Sequence, residues 1–228
     1  WGIPFSVKDN IDVLDLPTTA ACPAFSYLPE QSATVVSKLE QAGAVCLGKT
    51  NLDQFATGLN GTRSPYGPCT SAFNSDFISG GSSSGSAVSV SLHQVCFSIG
   101  TDTGGSGRIP ASLNNVVGLK PTCGTLSTEG LVPCCPSVDC PSVFALSVAD
   151  AIEVASIALD SERPDASLRS DVQRSTFSLA PDDSVASILA PSDDDLEFFG
   201  NDEGKSLYLN FLCQLDHSGL ELKRFDFA

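Results

Sequence analysis

Ser32-Ala33-Thr34-Val35-Val36-Ser37-Lys38-Leu39-Glu40-Gln41-Ala42-Gly43-Ala44-Val45-Cys46-Leu47-Gly48 is the stretch on which the fold turns. Apolar side chains fall at 33, 35, 36, 39 and 42, one face of a helix with 3.6 residues per turn. Ser32 stands where an N-cap belongs and Gly43 near the stop. Val45-Cys46-Leu47-Gly48 then reads as a short buried strand. The same alternation extends outward. Pro4-Phe5-Ser6-Val7-Lys8 is an apolar strand closed by a charge, and Trp1 to Pro4 reads as part of the same buried element. Residues 50–58 suggest a short helix, 84–92 a helix of small residues, and 95–100 a strand. Ser147-Val148-Ala149-Asp150 is a capping box that opens a helix running to about residue 159. Strand and helix in turn imply an α/β fold, a sheet with helices packed on it.

Beyond this, residues 161–187 are polar and carry Pro164 and Pro181, the pattern of a surface connection. Residues 187–191 read as a strand, 202–215 as a helix and 220–227 as a final strand whose partner lies outside the chain. The sequence has no Met and opens on Trp1, so a piece of a longer polypeptide is expected.

The chain has 228 residues, 42% hydrophobic and 17% charged, which suits a globular domain with a core rather than a disordered chain. No apolar run reaches the ~18–20 residues that cross a bilayer, and no signal peptide is visible. Net charge is −15, with −2 in residues 1–120 and −13 in the rest. Such acidity repels phosphate backbones, which argues against nucleic-acid binding. Asp193-Asp194-Asp195 lacks regular ligand spacing and reads as a solvated loop, not a metal site. The nine cysteines include no closely spaced Cys or His pairs of the kind zinc needs. They read as reduced, mostly buried thiols, as in Val45-Cys46-Leu47 and Val95-Cys96-Phe97, and point to the cytosol.

Two serine-glycine segments stand apart: Gly80-Gly81-Ser82-Ser83-Ser84-Gly85-Ser86 and Asp102-Thr103-Gly104-Gly105-Ser106-Gly107-Arg108. A flexible linker is one reading, but a helix follows the first segment at once. A phosphate cradle is another, but neither segment runs into Gly-Lys-Ser/Thr or contains GxGxxG. The third is hydrolytic: glycines let backbone N–H groups converge on an oxyanion, beside a serine that attacks a carbonyl. The base is then the open question. His93 lies in a helix-to-strand turn and reads as solvated, and His217 has no link to either segment. A lysine held neutral by burial can substitute. Lys8, at the end of an apolar strand, is the candidate, although a surface lysine is the commoner case.

These segments, together with Gly2-Ile3-Pro4-Phe5-Ser6-Val7-Lys8-Asp9 and Gly118-Leu119-Lys120-Pro121-Thr122, resemble the amidase signature family. So does the step of 24 residues from Ser82 to Ser106. Leu16 to Phe25, Asn51-Leu52-Asp53-Gln54-Phe55-Ala56-Thr57-Gly58, Gly61-Thr62-Arg63-Ser64-Pro65-Tyr66-Gly67, Ser106-Gly107-Arg108 and Ser137-Val138-Asp139-Cys140 are similar to its allophanate-hydrolysing branch. The likeness is strong over residues 1–160, and fainter at Leu196-Glu197-Phe198-Phe199-Gly200 and the last four residues. It implies an incomplete amidase domain over 1–228. Residues 1–160 would form the catalytic core, 161–187 the connection and 188–228 the start of a C-terminal part, on a mixed sheet covered by helices on both faces.

The resemblance implies a Ser–cis-Ser–Lys triad. Ser106 would be the nucleophile, Ser82, after a cis peptide, the bridge, and Lys8 the neutral base. The backbone N–H groups of Thr103, Gly104, Gly105 and Ser106 would form the oxyanion hole. Ser83 would support the nucleophile or cap a helix. Asp102 and Arg108 would form a structural ion pair, and Asp9 and Asn10 would support Lys8. Tyr66 would line the pocket or pack. No metal or cofactor is implied.

The implied reaction splits allophanate to ammonia and carbon dioxide in urea breakdown. A small-molecule amide would be its ligand and a homodimer its assembly. Some members of this branch are fused to a biotin-dependent urea carboxylase. One departure concerns the substrate: Pro136 stands where a basic residue is expected. The competing readings are a general amidase, the amidase subunit of a tRNA-dependent glutamine amidotransferase, and an inactive fragment.

Overall fold

The computed structural model describes residues 2–159, 187–217 and 221–226. The chain divides into two compact units, Trp1–Leu179 and Ala180–Ala228. Most of the connection expected over 161–187 lies outside the described residues, as do Trp1, Leu220 and Phe227.

The first unit is built on a five-stranded mixed sheet. In chain order its elements are β1 (Pro4–Lys8), α1 (Thr34–Gln41), β2 (Val45–Thr50), α2 (Ser84–Ser91), β3 (Phe97–Thr101), α3 (Arg108–Leu113), β4 (Val117–Leu119), β5 (Pro141–Ala145) and α4 (Val148–Ala158). The strand order is β2-β1-β3-β5-β4. β1 runs parallel to β2 and β3, whereas β5 is antiparallel to both β3 and β4.

Side chains alternate across a strand, and β1 uses this to separate packing from chemistry. Phe5 and Val7 join Phe97, Ile99, Val143 and Ala145 in a core closed by Val35, Val36 and Leu39 of α1 and Ala151, Val154, Ala155 and Ala158 of α4. Ser6 faces the other way, where its hydroxyl meets Ser89 Oγ of α2 at 3.0 Å and Ser98 Oγ of β3 at 2.8 Å. Alternation puts Lys8 on this second, polar face, which Ala87 and Val90 of α2 and Ala111 of α3 help to cover.

Phe5 is fully buried and stacks on Phe97 with ring centroids 5.0 Å apart. Truncation there leaves a cavity as well as losing burial. Phe5→Ala is therefore expected to cost about 3–5 kcal/mol. Urea unfolding measures this, and a loss below about 1 kcal/mol would contradict the packing described.

Several local expectations change. The α1 N-cap position is Ala33, because Ser32 Oγ instead accepts the Leu14 amide at 2.9 Å. Gly43 does end the helix in the left-handed region, at φ 95°. β2 is a half-exposed edge strand, since α1 covers the central strands and leaves one flank open. Gly2 and Ile3 are exposed and precede β1. In the 50–58 segment only a short 3-10 turn forms, Gln54–Ala56. Ser147 caps α4, accepting the Asp150 amide at 3.1 Å. Of the nine cysteines only Cys140 is buried. Cys96 is exposed because apolar neighbours in sequence do not place helices over both sides of a strand entry.

The second unit is a strand–helix–strand arrangement: β6 (Ser187–Pro191), α5 (Asp202–His217) and β7 (Glu221–Phe225). β6 and β7 pair in parallel, so the last strand finds its partner within the chain. The expectation of a missing partner fails because parallel strands meet through a helical crossover, which sequence adjacency does not reveal. Asp193–Asp195 form an exposed turn tied to Arg224 Nη1 at 3.2 Å. Among the described residues no group of His, Cys, Asp or Glu could hold a metal ion, and no helix is long and apolar enough to cross a membrane.

Candidate active site

Three chain segments converge where β1 and β3 end. Lys8, the last residue of β1, is fully buried. Its Nζ lies 2.7 Å from Ser82 Oγ and 2.7 Å from Thr101 Oγ1 at the end of β3. Burial lowers the Lys8 pKa to about 7, against the partial opposition of Asp53, Cys134, Asp102 and Asp139. An amine in this state exists in comparable neutral and protonated amounts near neutrality, so it can both take and return a proton.

The Gly81–Ser82 peptide is cis. Ser82 is fully buried, and its carbonyl accepts the Asp53 amide at 3.1 Å. The Gly81 amide donates to Leu59 O at 2.8 Å. Ser83 occupies the N-cap position of α2 but makes no side-chain cap bond. Its hydroxyl donates to Thr101 O at 2.9 Å, and its amide donates to Ser106 O at 3.1 Å. Ser83 thus ties the Ser82 segment both to β3 and to the backbone of Ser106.

Ser106 is almost fully buried in the turn between β3 and α3. Asp102 organises that turn. Its Oδ1 accepts the Gly105 amide at 2.7 Å and Arg108 Nη2 at 3.0 Å, and its Oδ2 accepts Arg108 Nε at 2.9 Å and the Arg108 amide at 3.1 Å. Burial pushes the Asp102 carboxyl up, but the guanidinium and the turn amides outweigh it and hold the pKa down to about 2. Gly105 sits at φ 124°, a conformation that a residue with a Cβ rarely adopts. Of the four amides expected to face an oxyanion, that of Gly105 is therefore directed at Asp102.

The remaining candidates fall as follows. Asn10 reaches Lys8 through Thr101, with Nδ2 3.3 Å from Thr101 Oγ1, and its buried Oδ1 has no partner among the described residues. Asp9 does not support Lys8, because its carboxylate pairs with Lys49 Nζ at 3.1 Å and takes the Thr19 hydroxyl. Tyr66 is more than half exposed, its hydroxyl 3.2 Å from Thr19 Oγ1. Pro136 lies in an exposed turn, and so does His93.

Three residues that bind these segments escaped sequence reasoning. Thr101 contacts Lys8 directly. Asp139 accepts the Thr103 hydroxyl at 2.5 Å and the Cys134 and Cys135 amides at 2.9 and 3.0 Å, clamping the 134–139 segment to the turn that carries Ser106. Asp53 grips the Ser82 segment. Asp53 and Asp139 stood inside quoted motifs and Thr101 just before one, but nothing in the spacing identified their partners. A cavity of about 450 Å³, lined by Ile3, Leu39, Phe97, Leu146, Val154 and Ile157, sits on the opposite, apolar face of the sheet.

A family model described as Amidase matches residues 1–228. The urea amidolyase of Saccharomyces cerevisiae is 60% identical over 151 residues, 66% of this chain and 8% of that protein. A glutamyl-tRNA(Gln) amidotransferase subunit from Lawsonia intracellularis is 44% identical over 69% of this chain and 33% of its own length. The solved allophanate hydrolase of Kluyveromyces lactis superposes with a TM-score of 0.84 at 44% identity, covering 99% of this chain and 36% of that one. The chain thus spans a minor part of the length of these relatives.

Proposed function

This chain belongs to the amidase family, and on that premise we propose that it hydrolyses the amide bond of allophanate through Lys8, Ser82 and Ser106. The observation that carries the reading is the buried Lys8 amine, 2.7 Å from Ser82 Oγ and poised near pH 7. In the neutral amine the lone pair accepts the Ser82 hydroxyl proton. Ser82 in turn takes the proton of Ser106, whose Oγ attacks the carbonyl carbon. The charge that develops on the carbonyl oxygen is met by the backbone amides of Thr103, Gly104 and Ser106, each such donor contributing roughly 3 kcal/mol. The Gly105 amide and Asp102 keep the turn in shape. Returning the proton through Ser82 expels ammonia and leaves an acyl-enzyme, and water then repeats the relay to free the acid. Ser83 braces the two serines, and Arg108 braces Asp102.

Allophanate is favoured over other amides by the high identity to a urea amidolyase and the structural likeness to an allophanate hydrolase. Exposed Pro136 takes no part in gripping its carboxylate in this reading. The reaction belongs in a reducing compartment, in cooperation with a urea carboxylase carried on the same or another polypeptide. A second reading, glutamine hydrolysis as part of an amidotransferase, is favoured by the 44% identity to a component of such an enzyme.

The test is ammonia release from allophanate, simple amides and glutamine, with Ser106→Ala as control. Preference for allophanate, lost in the variant, is the expected result. Activity on glutamine alone would transfer the assignment to the second reading. Silence on all three would leave an inactive fragment.

A further inference from the structure

The carboxylate of Asp53 is fully buried, yet among the described residues no Lys, Arg or His pairs with it. Burying an unpaired charge is costly, so its surroundings should say what it does. Its Oδ2 accepts the Gly61 amide at 3.0 Å and its Oδ1 accepts the Arg63 amide at 2.8 Å. Its own amide donates to Ser82 O at 3.1 Å. The carboxylate also packs against Gly81: a Cβ there would come within 2.0 Å of Asp53 Oδ2. Asp53 therefore holds the residue before Ser82 with its side chain and Ser82 itself with its backbone. Ser82 Oγ is in turn 2.7 Å from Lys8 Nζ.

We infer that Asp53 is a positioning residue of this hydrolase, fixing the Ser82 hydroxyl against Lys8 through its grip on Gly81 and Ser82. The inference rests on the Ser–Ser–Lys reading above. The geometry demands an acid and not an amide. Two backbone N–H groups point at the two oxygens, and an asparagine would turn its NH2 toward one of them. The charge has a second consequence. The acidic groups facing Lys8 are Asp53 after β2, Asp102 after β3, and Cys134 and Asp139 before β5, and Asp53 is the strongest of them in favouring the protonated amine. Asp9, beside Lys8 in sequence, is engaged by Lys49.

The test compares Asp53→Asn with Gly81→Ala in the intact protein, using acyl-enzyme formation from a reactive ester and the pH dependence of kcat/KM. Both variants disturb the packing of the residue 53 side chain on Gly81 and leave its backbone bond to Ser82 O in place, and both should slow acylation by about 100-fold or more with KM little changed. Only Asp53→Asn removes the charge. Its acidic limb should therefore move down by roughly one pH unit, while that of Gly81→Ala stays in place. Rates near wild type in either folded variant, or an unmoved limb in Asp53→Asn, would overturn the inference. Circular dichroism establishes that each variant folds. If Asp53→Asn does not, Gly81→Ala decides alone, with wild-type acylation counting against the proposal. Wild-type protein that forms no adduct, or an adduct that survives Ser106→Ala, would instead remove the Ser–Ser–Lys reading itself.

Discussion

Ser106→Ala is expected to abolish acyl-enzyme formation and to lower amide hydrolysis by about 10⁴-fold or more, the scale on which loss of a serine nucleophile is felt. The reason is specific to the side chain. What Ser106 contributes to the fold is its backbone: its carbonyl accepts the Ser83 amide at 3.1 Å, and alanine keeps that bond. The turn around it is held by Asp102 through Gly105 and Arg108, which the substitution does not touch. The variant should therefore melt within a degree or two of wild type while losing its chemistry. Intact-mass measurement after incubation with an activated ester checks this, with wild type gaining one acyl group and the variant none. A labelled variant would move the nucleophile elsewhere, and Ser82, already in contact with Lys8, would be the first place to look.

How far this site could be read from sequence depends on what kind of contact each residue makes. Lys8 was legible because a two-residue alternation carries Phe5 and Val7 into the core and strands the charge at the end of a buried strand. The capping box at Ser147 was legible because both partners sit within three residues. Ser82 and Ser106, the serines of the proposed triad, became legible only through family resemblance, since a glycine-serine run carries no periodicity that would place it. Thr101, Asp53 and Asp139 were not legible. Their partners lie 93 residues away for Thr101 with Lys8 and 36 residues away for Asp139 with Thr103, and those distances close only when the sheet forms. The same limit explains β6 and β7. Each was recognisable as a strand, but that they pair with each other depends on a crossover helix that no local signal reports. Edge position was equally invisible in β2, whose composition resembles that of a central strand although one flank is open.

Lys8→Met is expected to inactivate the protein while making it more stable. Burial lowers the Lys8 pKa from 10.5 to about 7. Between these values the unfolded chain binds a proton that the folded chain does not, so wild-type stability rises with pH from about 7 toward 10.5. Below pH 7 both states hold the proton and the penalty for burying the charge is fully present, on the order of 5 kcal/mol. Methionine fills a similar volume without that penalty. It also forfeits the hydrogen bonds to Ser82 and Thr101, each contributing about 1–2 kcal/mol. The balance favours the variant by roughly 2 kcal/mol at pH 7, equivalent to a Tm about 5 °C higher for a chain of this size. This advantage should shrink by about 1.4 kcal/mol per pH unit, vanish at about pH 8.5 and reverse above it, because wild type goes on gaining stability until the unfolded lysine also sheds its proton near 10.5. Amide hydrolysis should fall by about 10⁴-fold, since among the described residues no other base is hydrogen-bonded to Ser82 Oγ. Thermal melts of both proteins at pH 6, 7, 8 and 9, paired with activity assays, measure the two effects together. A variant that is both inactive and less stable at every pH would mean that Lys8 is held as a charged structural residue, and the base would have to be sought elsewhere. A stabilised, inactive variant with a gap that closes toward high pH would mean that the fold bears a penalty at this one position in exchange for a neutral amine beside Ser82.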